Sequence, residues 1–283
     1  MAESGDLKSS QCGFESHRRY HSTRGTMTRV AIMREPSRVY ATAGAVDGIS
    51  YPLALRQHQR LRGIYLRHGY KVELLPRTSK YCAGTFVQDT AFVAGEQALL
   101  TNCMSEWRLK EPRHRSQLRR TLEKYVDVVG QMGLPAELDG GEVVKTDREY
   151  LVGMCKKMAY AGVKQIRKKL DLDLPLRTAK RLPDGMPHLG SGISYLGDGC
   201  LLAHESMEGY RFLGDYNVLW VPTGEVNGAN VVLLADGSLI ASEDAPCTVW
   251  ELRQRGFDVE TVNLSEYNKA EGHISCLSVN IVL

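Results

Sequence analysis

The sequence predicts an α/β fold built from one repeated unit, in which two short strands, a helix and a further strand follow one another. Three observations support this prediction. Short apolar segments alternate between strand and helix periodicity, glycines end the helical segments, and the same order of segments returns five times along the chain. Repeats of this length are typical of radial or stacked architectures. We therefore expect a ring of five similar modules.

The first unit depends on the last segment of the chain. It has one clear leading strand, at 28–33, followed by a helix at 52–68 and a strand at 71–75. The apolar, β-branched segment from Cys276 to the C-terminus has no hairpin partner of its own. Pairing of these two lone strands would complete the first unit and close the ring. The alternative is a set of unrelated α/β elements.

The other four units each begin with a hairpin and continue with a helix and a closing strand. Their predicted hairpins are at 85–102, 142–154, 189–203 and 230–242, their helices at 115–131, 161–170, 206–213 and 246–255, and their closing strands at 135–138, 176–182, 217–221 and 259–264. Together the five units predict a single domain over residues 27–283.

Composition excludes several classes of protein. The hydrophobic fraction of 43% is ordinary for a globular protein, and a formal charge of +3 is too small to indicate nucleic-acid binding. No apolar run reaches membrane-spanning length, so we expect no membrane partner. The seven cysteines are scattered and lack any C-x-x-C pair, which argues against a disulfide framework or a zinc site. We expect a reducing, cytoplasmic compartment.

Residues 1–26 differ from the rest of the chain. They are polar, rich in Ser, Arg and His, and show no periodicity, which predicts a disordered tail. A mitochondrial presequence is the alternative interpretation, and Glu3, Asp6 and Glu15 disfavour it because such segments are poor in acids.

Chemically reactive side chains recur where the units begin their hairpins. They are Asp89, Asp139, Glu142, His188, Asn230 and Cys276. Equivalent points of a ring face a common axis, so we expect these side chains to converge on one pocket. Taken one at a time, each has a plainer interpretation as a core thiol, a buried histidine, a turn residue or a salt-bridged acid.

A cysteine with a histidine and a carboxylate is the general arrangement of an activated nucleophile. A nearby imidazolium lowers the pKa of a thiol, and the thiolate is the attacking species. Additional carboxylates imply a cationic substrate, since buried like charges need a counter-ion. A flat cation with an electrophilic carbon, held by carboxylates, describes a guanidinium group.

Five sequence motifs carry a resemblance to a known family. They are R-Q-H-Q at 56–59, F-V-Q-D at 86–89, L-D-G-G-E at 138–142, H-L-G-S at 188–191 and E-G-x-x-S-C-L-S-V at 271–279. With these motifs the chain resembles the dimethylarginine dimethylaminohydrolases, members of the guanidine-modifying penteins, from about residue 27 to 283. The resemblance implies a five-unit pseudo-symmetric α/β propeller, which agrees with the repeat count.

The resemblance also implies roles for individual residues. Cys276 would attack the guanidinium carbon, and His188 would protonate the departing amine and then accept a proton from water. Asp139 would orient His188 or bind the guanidinium. The resemblance places Asp89 at the guanidinium nitrogens, Lys157 at the substrate carboxylate and Glu271 at the α-amino end. We predict Gln88, Glu142 and Asn230 as further substrate contacts. No metal or organic cofactor is implied.

The chain departs from the family pattern at four positions. Ala83 and Gln88 stand where members often carry acids, which reduces the negative charge lining the site. Lys157 stands in place of an arginine and lacks its bidentate geometry. Gly190 stands where arginine deiminases carry an acid, which argues against that activity.

The resulting hypothesis is a cysteine-dependent hydrolase that converts Nω-methylated arginine to citrulline and an amine through a covalent thiouronium on Cys276. Amidino transfer, or hydrolysis of another guanidino compound, is the first alternative. A catalytically silent propeller that only binds ligands is the second. The expected partner is a small guanidino compound, bound by a monomer or a homodimer.

Overall fold

The computed structural model describes residues 27–42, 48–78, 81–103, 112–154 and 157–283. The predicted tail at 1–26 lies outside the described residues. Within them the chain forms five three-stranded sheets. No described helix combines the length and the apolarity needed to cross a membrane.

The first sheet joins the two ends of the described chain. Its central strand β1 (Arg29–Met33) lies between β2 (Lys71–Leu74) and β15 (Ser278–Val282). Strand β1 pairs antiparallel with β15 and parallel with β2. The pairing expected between the first and last strands is therefore present. Because parallel neighbours need a crossover connection, helix α1 (Tyr51–Arg67) runs between β1 and β2.

The other four sheets have the same strand order. They are formed by β3 (Ala91–Ala94), β4 (Gln97–Leu100) and β5 (Asp127–Gln131); β6 (Val143–Lys145), β7 (Tyr150–Met154) and β8 (Leu176–Lys180); β9 (Ile193–Gly197), β10 (Cys200–Ala203) and β11 (Asn217–Trp220); and β12 (Val232–Leu233), β13 (Leu239–Ser242) and β14 (Val259–Val262). In each, the middle strand is antiparallel to the first strand and parallel to the third. In the first sheet β15 takes the place of the first strand.

Helices provide most of the crossovers between the parallel strands. They are α2 (Pro112–Leu122), α3 (Lys157–Lys169) and α5 (Pro246–Gln254), while α4 (Leu189–Gly192) and α6 (Ser265–Asn268) are single turns outside the crossovers. Between β10 and β11 the predicted helix at 206–213 is replaced by two 3-10 turns, Glu205–Met207 and Arg211–Asp215.

The second unit corrects one prediction. The helix expected at 115–131 ends at Leu122, and residues from Asp127 form β5, so no strand forms at 135–138. The apolar spacing predicts a longer helix, because Tyr125 and Val129 continue its periodicity. Val128 lies in a run of β-branched residues that pairs in parallel with β4, and this tertiary pairing decides the conformation.

One cavity of about 580 Å³ is lined by the first strands of all five sheets, β3, β6, β9, β12 and β15. Its wall also includes Gln88, Gly140, Gly190 and Ser275, which lie in the turns preceding four of those strands. Cys276, His188, Asp89 and Asp139 are not among its lining residues. The turns therefore contribute to the cavity wall residues that stand next to the predicted catalytic ones in the sequence.

We expect Gly140→Ala to lower the free energy of unfolding by about 2–3 kcal/mol, because a Cβ atom there would overlap the carbonyl oxygens of Gln88 and Ala91. Backbone atoms at this junction of two units cannot swing aside. Urea denaturation measures the change. Gly214→Ala is the matched control, since nothing lies within 4 Å of its added Cβ, and it should change stability by less than about 0.5 kcal/mol. Equal stabilities of the two variants would contradict this packing.

Candidate active site

Four short turns carry the predicted reactive residues, each directly before the first strand of a sheet. The 3-10 turn Gln88–Thr90 precedes β3, and Gly140–Glu142 precedes β6. Helical turn α4 follows His188 and precedes β9, and the 3-10 turn Ser275–Leu277 precedes β15. Because every sheet has the same strand order, each turn occupies the same position in its unit. Turns that are far apart in the sequence therefore lie close together in the structure.

These turns pack against one another. The turn that carries Asp89 contacts both Gly140–Glu142 and Ser275–Leu277, and Gly140–Glu142 also contacts α4. The turn that carries Asp89 therefore lies next to the turn of Cys276 and close to His188. The predicted convergence of a thiol, an imidazole and carboxylates is present at the level of the turns.

His188 lies among three buried carboxyl groups. Its Nδ1 is 3.3 Å from Glu142 Oε1 and 3.9 Å from Asp139 Oδ2, and its Nε2 is 3.8 Å from Asp89 Oδ1. Only the Glu142 contact meets the distance of a hydrogen bond. Both ring nitrogens thus face acids, which suits an imidazole that carries a proton.

Glu142 rather than Asp139 makes the direct contact that orients His188. The Glu142 side chain is fully buried, with Oε2 accepting a hydrogen bond from the Leu189 backbone N–H at 3.2 Å. From the sequence, Asp139 is expected to orient His188 or bind the guanidinium, and Glu142 to contact the substrate. Position along the chain does not reveal which of two carboxylates three residues apart comes closer to the ring; in the structure Glu142 does, at 3.3 Å against 3.9 Å for Asp139.

The surrounding charges hold the proton on His188. Burial disfavours the charged imidazole, yet the carboxylates of Asp89, Glu142 and Asp139 outweigh it and raise the pKa of His188 from 6.5 to about 9. At neutral pH the ring is therefore an imidazolium. A histidine in this state can give up a proton at the start of a reaction.

Close backbone packing fixes the spacing between Asp89 and His188. A Cβ atom on Gly141 would lie 3.0 Å from Asp89 Oδ1 and 3.2 Å from the His188 ring. Gly141 thus lets the backbone of its turn approach both side chains at once. Thr101 Oγ1 donates a 2.6 Å hydrogen bond to the Asp89 carbonyl oxygen and secures the turn from the other side.

Cys276 is a buried thiol, 5% exposed, in a cluster with aromatic side chains. Tyr40 stacks on Tyr267 and meets Phe86 edge to face within this cluster. Burial, together with the nearby acidic groups of Glu266 and Cys276, raises the pKa of Tyr40, so its hydroxyl keeps its proton and donates to the Glu266 carbonyl oxygen. Cys276, the candidate nucleophile, therefore packs in an apolar cluster, and the turn that carries the Asp89 carboxylate contacts its own turn.

Asn230 ties two of the turns together. Its Nδ2 donates to the Gly190 carbonyl oxygen at 2.6 Å and to Ser275 Oγ at 2.8 Å, and its Oδ1 accepts from the Ser275 backbone N–H at 3.1 Å. The amide is thus engaged with protein groups next to His188 and Cys276. This geometry favours a positioning role over the substrate contact expected from the sequence.

The other predicted substrate contacts are dispersed. Gln88 lines the central cavity, where its buried Oε1 has no hydrogen-bond partner. Glu271 is exposed and adopts a left-handed φ of 54° before the Cys276 turn. The Lys157 side chain lies outside the described residues.

Sequence reasoning gave no role to His273. The imidazole Nδ1 lies 3.5 Å from Ser191 Oγ and its Nε2 lies 3.1 Å from Asn227 Oδ1. Burial lowers the pKa of His273, and the charge of His188 lowers it further. The sequence offered one signal for His273: it stands three residues before Cys276, at a variable position of the E-G-x-x-S-C-L-S-V motif.

Comparison with known proteins finds relatives that align over most of the chain. No protein-family model matches the chain. The N(G),N(G)-dimethylarginine dimethylaminohydrolase of Streptomyces coelicolor is 28% identical over 258 residues, which are 90% of this chain and 97% of that protein. The protein of the same name from Pseudomonas aeruginosa is 24% identical over 262 residues, 89% of this chain and 99% of its own.

Solved structures show the fold. A mutant of the dimethylarginine dimethylaminohydrolase of Pseudomonas aeruginosa, complexed with citrulline, superposes with a TM-score of 0.80 at 21% identity, covering 90% of this chain and all of that one. The N-terminal domain of ArgZ, a cyanobacterial arginine dihydrolase, gives a TM-score of 0.76 at 17% identity over 89% of this chain and 97% of its own. The chain thus resembles the dimethylarginine dimethylaminohydrolases in sequence and has their fold.

Proposed function

We propose that this chain is a cysteine-dependent hydrolase of a guanidine substrate, with Nω-methylated arginine as the leading candidate. One observation carries the proposal: His188 lies within 4 Å of three buried carboxyl groups, and the turn bearing one of them packs against the turn bearing Cys276. Carboxylates around a protonated imidazole attract a cation, and a thiol beside them offers a nucleophile to its carbon.

The named relatives support hydrolysis over amidino transfer. Both curated relatives cited above are named aminohydrolases of dimethylarginine, and each aligns over nearly its full length. The solved relative that holds citrulline supports a small guanidino compound as the substrate. Amidino transfer needs an amine in place of water at the second step, and no contact of the described site favours it.

The fold we propose is a five-unit propeller closed by β1 and β15. Its support is the shared strand order of five sheets, the pairing of the first and last strands, and a cavity lined by the first strand of every sheet. Such closure would place the four reactive turns around one axis and give both chain ends a hydrogen-bonded partner.

The first chemical step forms a bond between sulfur and carbon. The Cys276 thiolate adds to the guanidinium carbon, while Asp89 holds the guanidinium nitrogens by charge-assisted hydrogen bonds. The bond from that carbon to the substituted nitrogen then breaks. The imidazolium of His188 gives its proton to the departing amine, and Glu142 keeps the ring oriented. A thiouronium on Cys276 and a neutral His188 remain.

The second step releases the product. Neutral His188 takes a proton from water, and the resulting hydroxide adds to the thiouronium carbon. The carbon–sulfur bond breaks, which returns the Cys276 thiolate, and the hydroxyl proton on that carbon passes to solvent. A neutral ureido product remains, citrulline when the substrate is an Nω-methylated arginine. His188 is again protonated, so each turnover consumes one water and releases one amine.

We expect Cys276→Ser to lower kcat by at least about 10³-fold and to remove the covalent intermediate, because the serine hydroxyl is not ionised at neutral pH. The assay measures ureido product and released amine from arginine, monomethylarginine, asymmetric dimethylarginine, agmatine and guanidino acids. Cys247→Ser, at an exposed free cysteine, is the matched control and should keep full activity. Citrulline production by the Cys276 variant would remove the mechanism.

In His188→Ala the covalent adduct on Cys276 should form more slowly, since the proton donor is lost, and should then persist, since the group that activates water is lost as well. Intact-mass spectrometry after mixing with substrate detects the added mass, and Cys276→Ser in the same background should show none. Absence of any adduct and of any turnover with every guanidine tested, in the wild-type protein, would favour the ligand-binding alternative.

Neutralising Asp89 should lower the pKa of His188 below its value of about 9, since Asp89 is the strongest of the charges that raise it. The pKa of His188 is raised on folding, so these charges stabilise the fold below pH 6.5, and this stabilisation is lost as the pH rises through about 9. Proton NMR titration of the imidazole in Asp89→Asn measures the change. Glu208→Gln, at an exposed glutamate elsewhere, is the control and should leave the titration unchanged.

A further inference from the structure

His273 lies in a chain of hydrogen bonds that ends beside His188. Its Nε2 is 3.1 Å from Asn227 Oδ1, and its Nδ1 is 3.5 Å from Ser191 Oγ. Ser191 is three residues after His188, and its backbone N–H donates to the His188 carbonyl oxygen at 3.0 Å. The imidazole thus connects the segment leading to Cys276 with helical turn α4.

The direction of every hydrogen bond in this chain is set by Asp244. The Asp244 carboxylate can only accept, so Asn227 directs its Nδ2 to it at 2.7 Å and turns its Oδ1 to His273. The His273 Nε2 must then carry the hydrogen. In a neutral ring Nδ1 is left as an acceptor, and the Ser191 hydroxyl donates to it.

The electrostatic surroundings keep that ring neutral. Burial lowers the pKa of His273, the charge of His188 lowers it further, and Asp244 acts in the opposite direction. A proton on Nδ1 would remove the acceptor that Ser191 uses and would add a second positive charge beside His188. Neutral His273 therefore holds α4 without competing for the proton that His188 needs.

The loop that carries Asn227 is itself held firmly. Glu225 accepts hydrogen bonds from the Cys247 and Thr248 backbone N–H groups at 2.6 and 2.7 Å, at the start of α5. At Gly228 an added Cβ would lie only 2.6 Å from Thr248 Oγ1. The same loop ends at Asn230, the residue that ties Gly190 to Ser275. The side-chain amides of Asn227 and Asn230 in this loop thus contact the segments that lie next to His188 and Cys276.

We propose that the chain Asp244–Asn227–His273–Ser191 is a positioning network that holds His188 at its working distance from the carboxylates. His273 is its central positioning residue, and it acts through Ser191 rather than on the substrate. This role rests on the proposed function, in which His188 is the proton donor. A displacement of about 1 Å in such a group costs up to about 10²-fold in rate, so the network has a measurable effect.

The decisive comparison is between His273→Leu and His273→Gln. Leucine fills the space but offers no hydrogen bond, whereas glutamine supplies one acceptor and one donor. We expect His273→Leu to lower the pKa of His188, measured by NMR, by about one pH unit, and to lower kcat about 10-fold while KM changes less than about 2-fold. His273→Gln should match the wild type in all three.

Ser191→Ala deletes only the last hydrogen bond and provides a milder variant, expected to lower the pKa of His188 in the same direction. The network would be overturned if His273→Leu, or a folded Ser191→Ala, kept both the His188 pKa and the kcat of the wild-type protein. Equal damage by glutamine and leucine would also overturn it, because shape rather than hydrogen bonding would then matter. Lack of turnover by the wild-type protein would defeat the proposed function, while the His188 titration would still decide the network.

Discussion

The grouping of three carboxyl groups around one buried imidazole is the constraint on which the site depends. Carboxylates removed from water repel one another, and a protonated His188 between Asp89, Asp139 and Glu142 relieves part of that repulsion. The same arrangement raises the pKa of the imidazole and creates a region that attracts a cation. Stability of the site, the proton on its histidine and the charge of its ligand therefore have one physical cause.

Repetition of a three-stranded sheet brings these groups together. Each sheet places a turn before its first strand, and the turns of different units pack on one another through glycines such as Gly140 and Gly141. A side chain at position 89 thereby meets one at position 188, and Cys276 lies on the next turn. The first strands of the sheets line a cavity, and the turns contribute Gln88, Gly140, Gly190 and Ser275 to its wall.

Much of this arrangement could be predicted from the sequence, because strand alternation, turn glycines and the recurrence of polar residues are local signals. The pairing of β1 with β15 followed from the two strands that lacked partners. The end of α2 could not be predicted, since Val129 fits a helical face and a parallel strand equally well. The closer approach of Glu142 than of Asp139 to His188, and the position of His273, depend on side-chain reach across units, which spacing along one chain does not encode.

The central claim is that the thiol of Cys276 and the acids around His188 face one guanidinium group from different turns. A crystal structure of Cys276→Ser with bound asymmetric dimethylarginine tests it most directly. The account predicts a guanidinium whose nitrogens lie at hydrogen-bond distance from Asp89, with its carbon about 3–3.5 Å from the residue-276 side chain and its substituted nitrogen toward His188. A guanidinium bound elsewhere, or a residue 276 sealed from the ligand by the Tyr40 and Phe86 cluster, would contradict it.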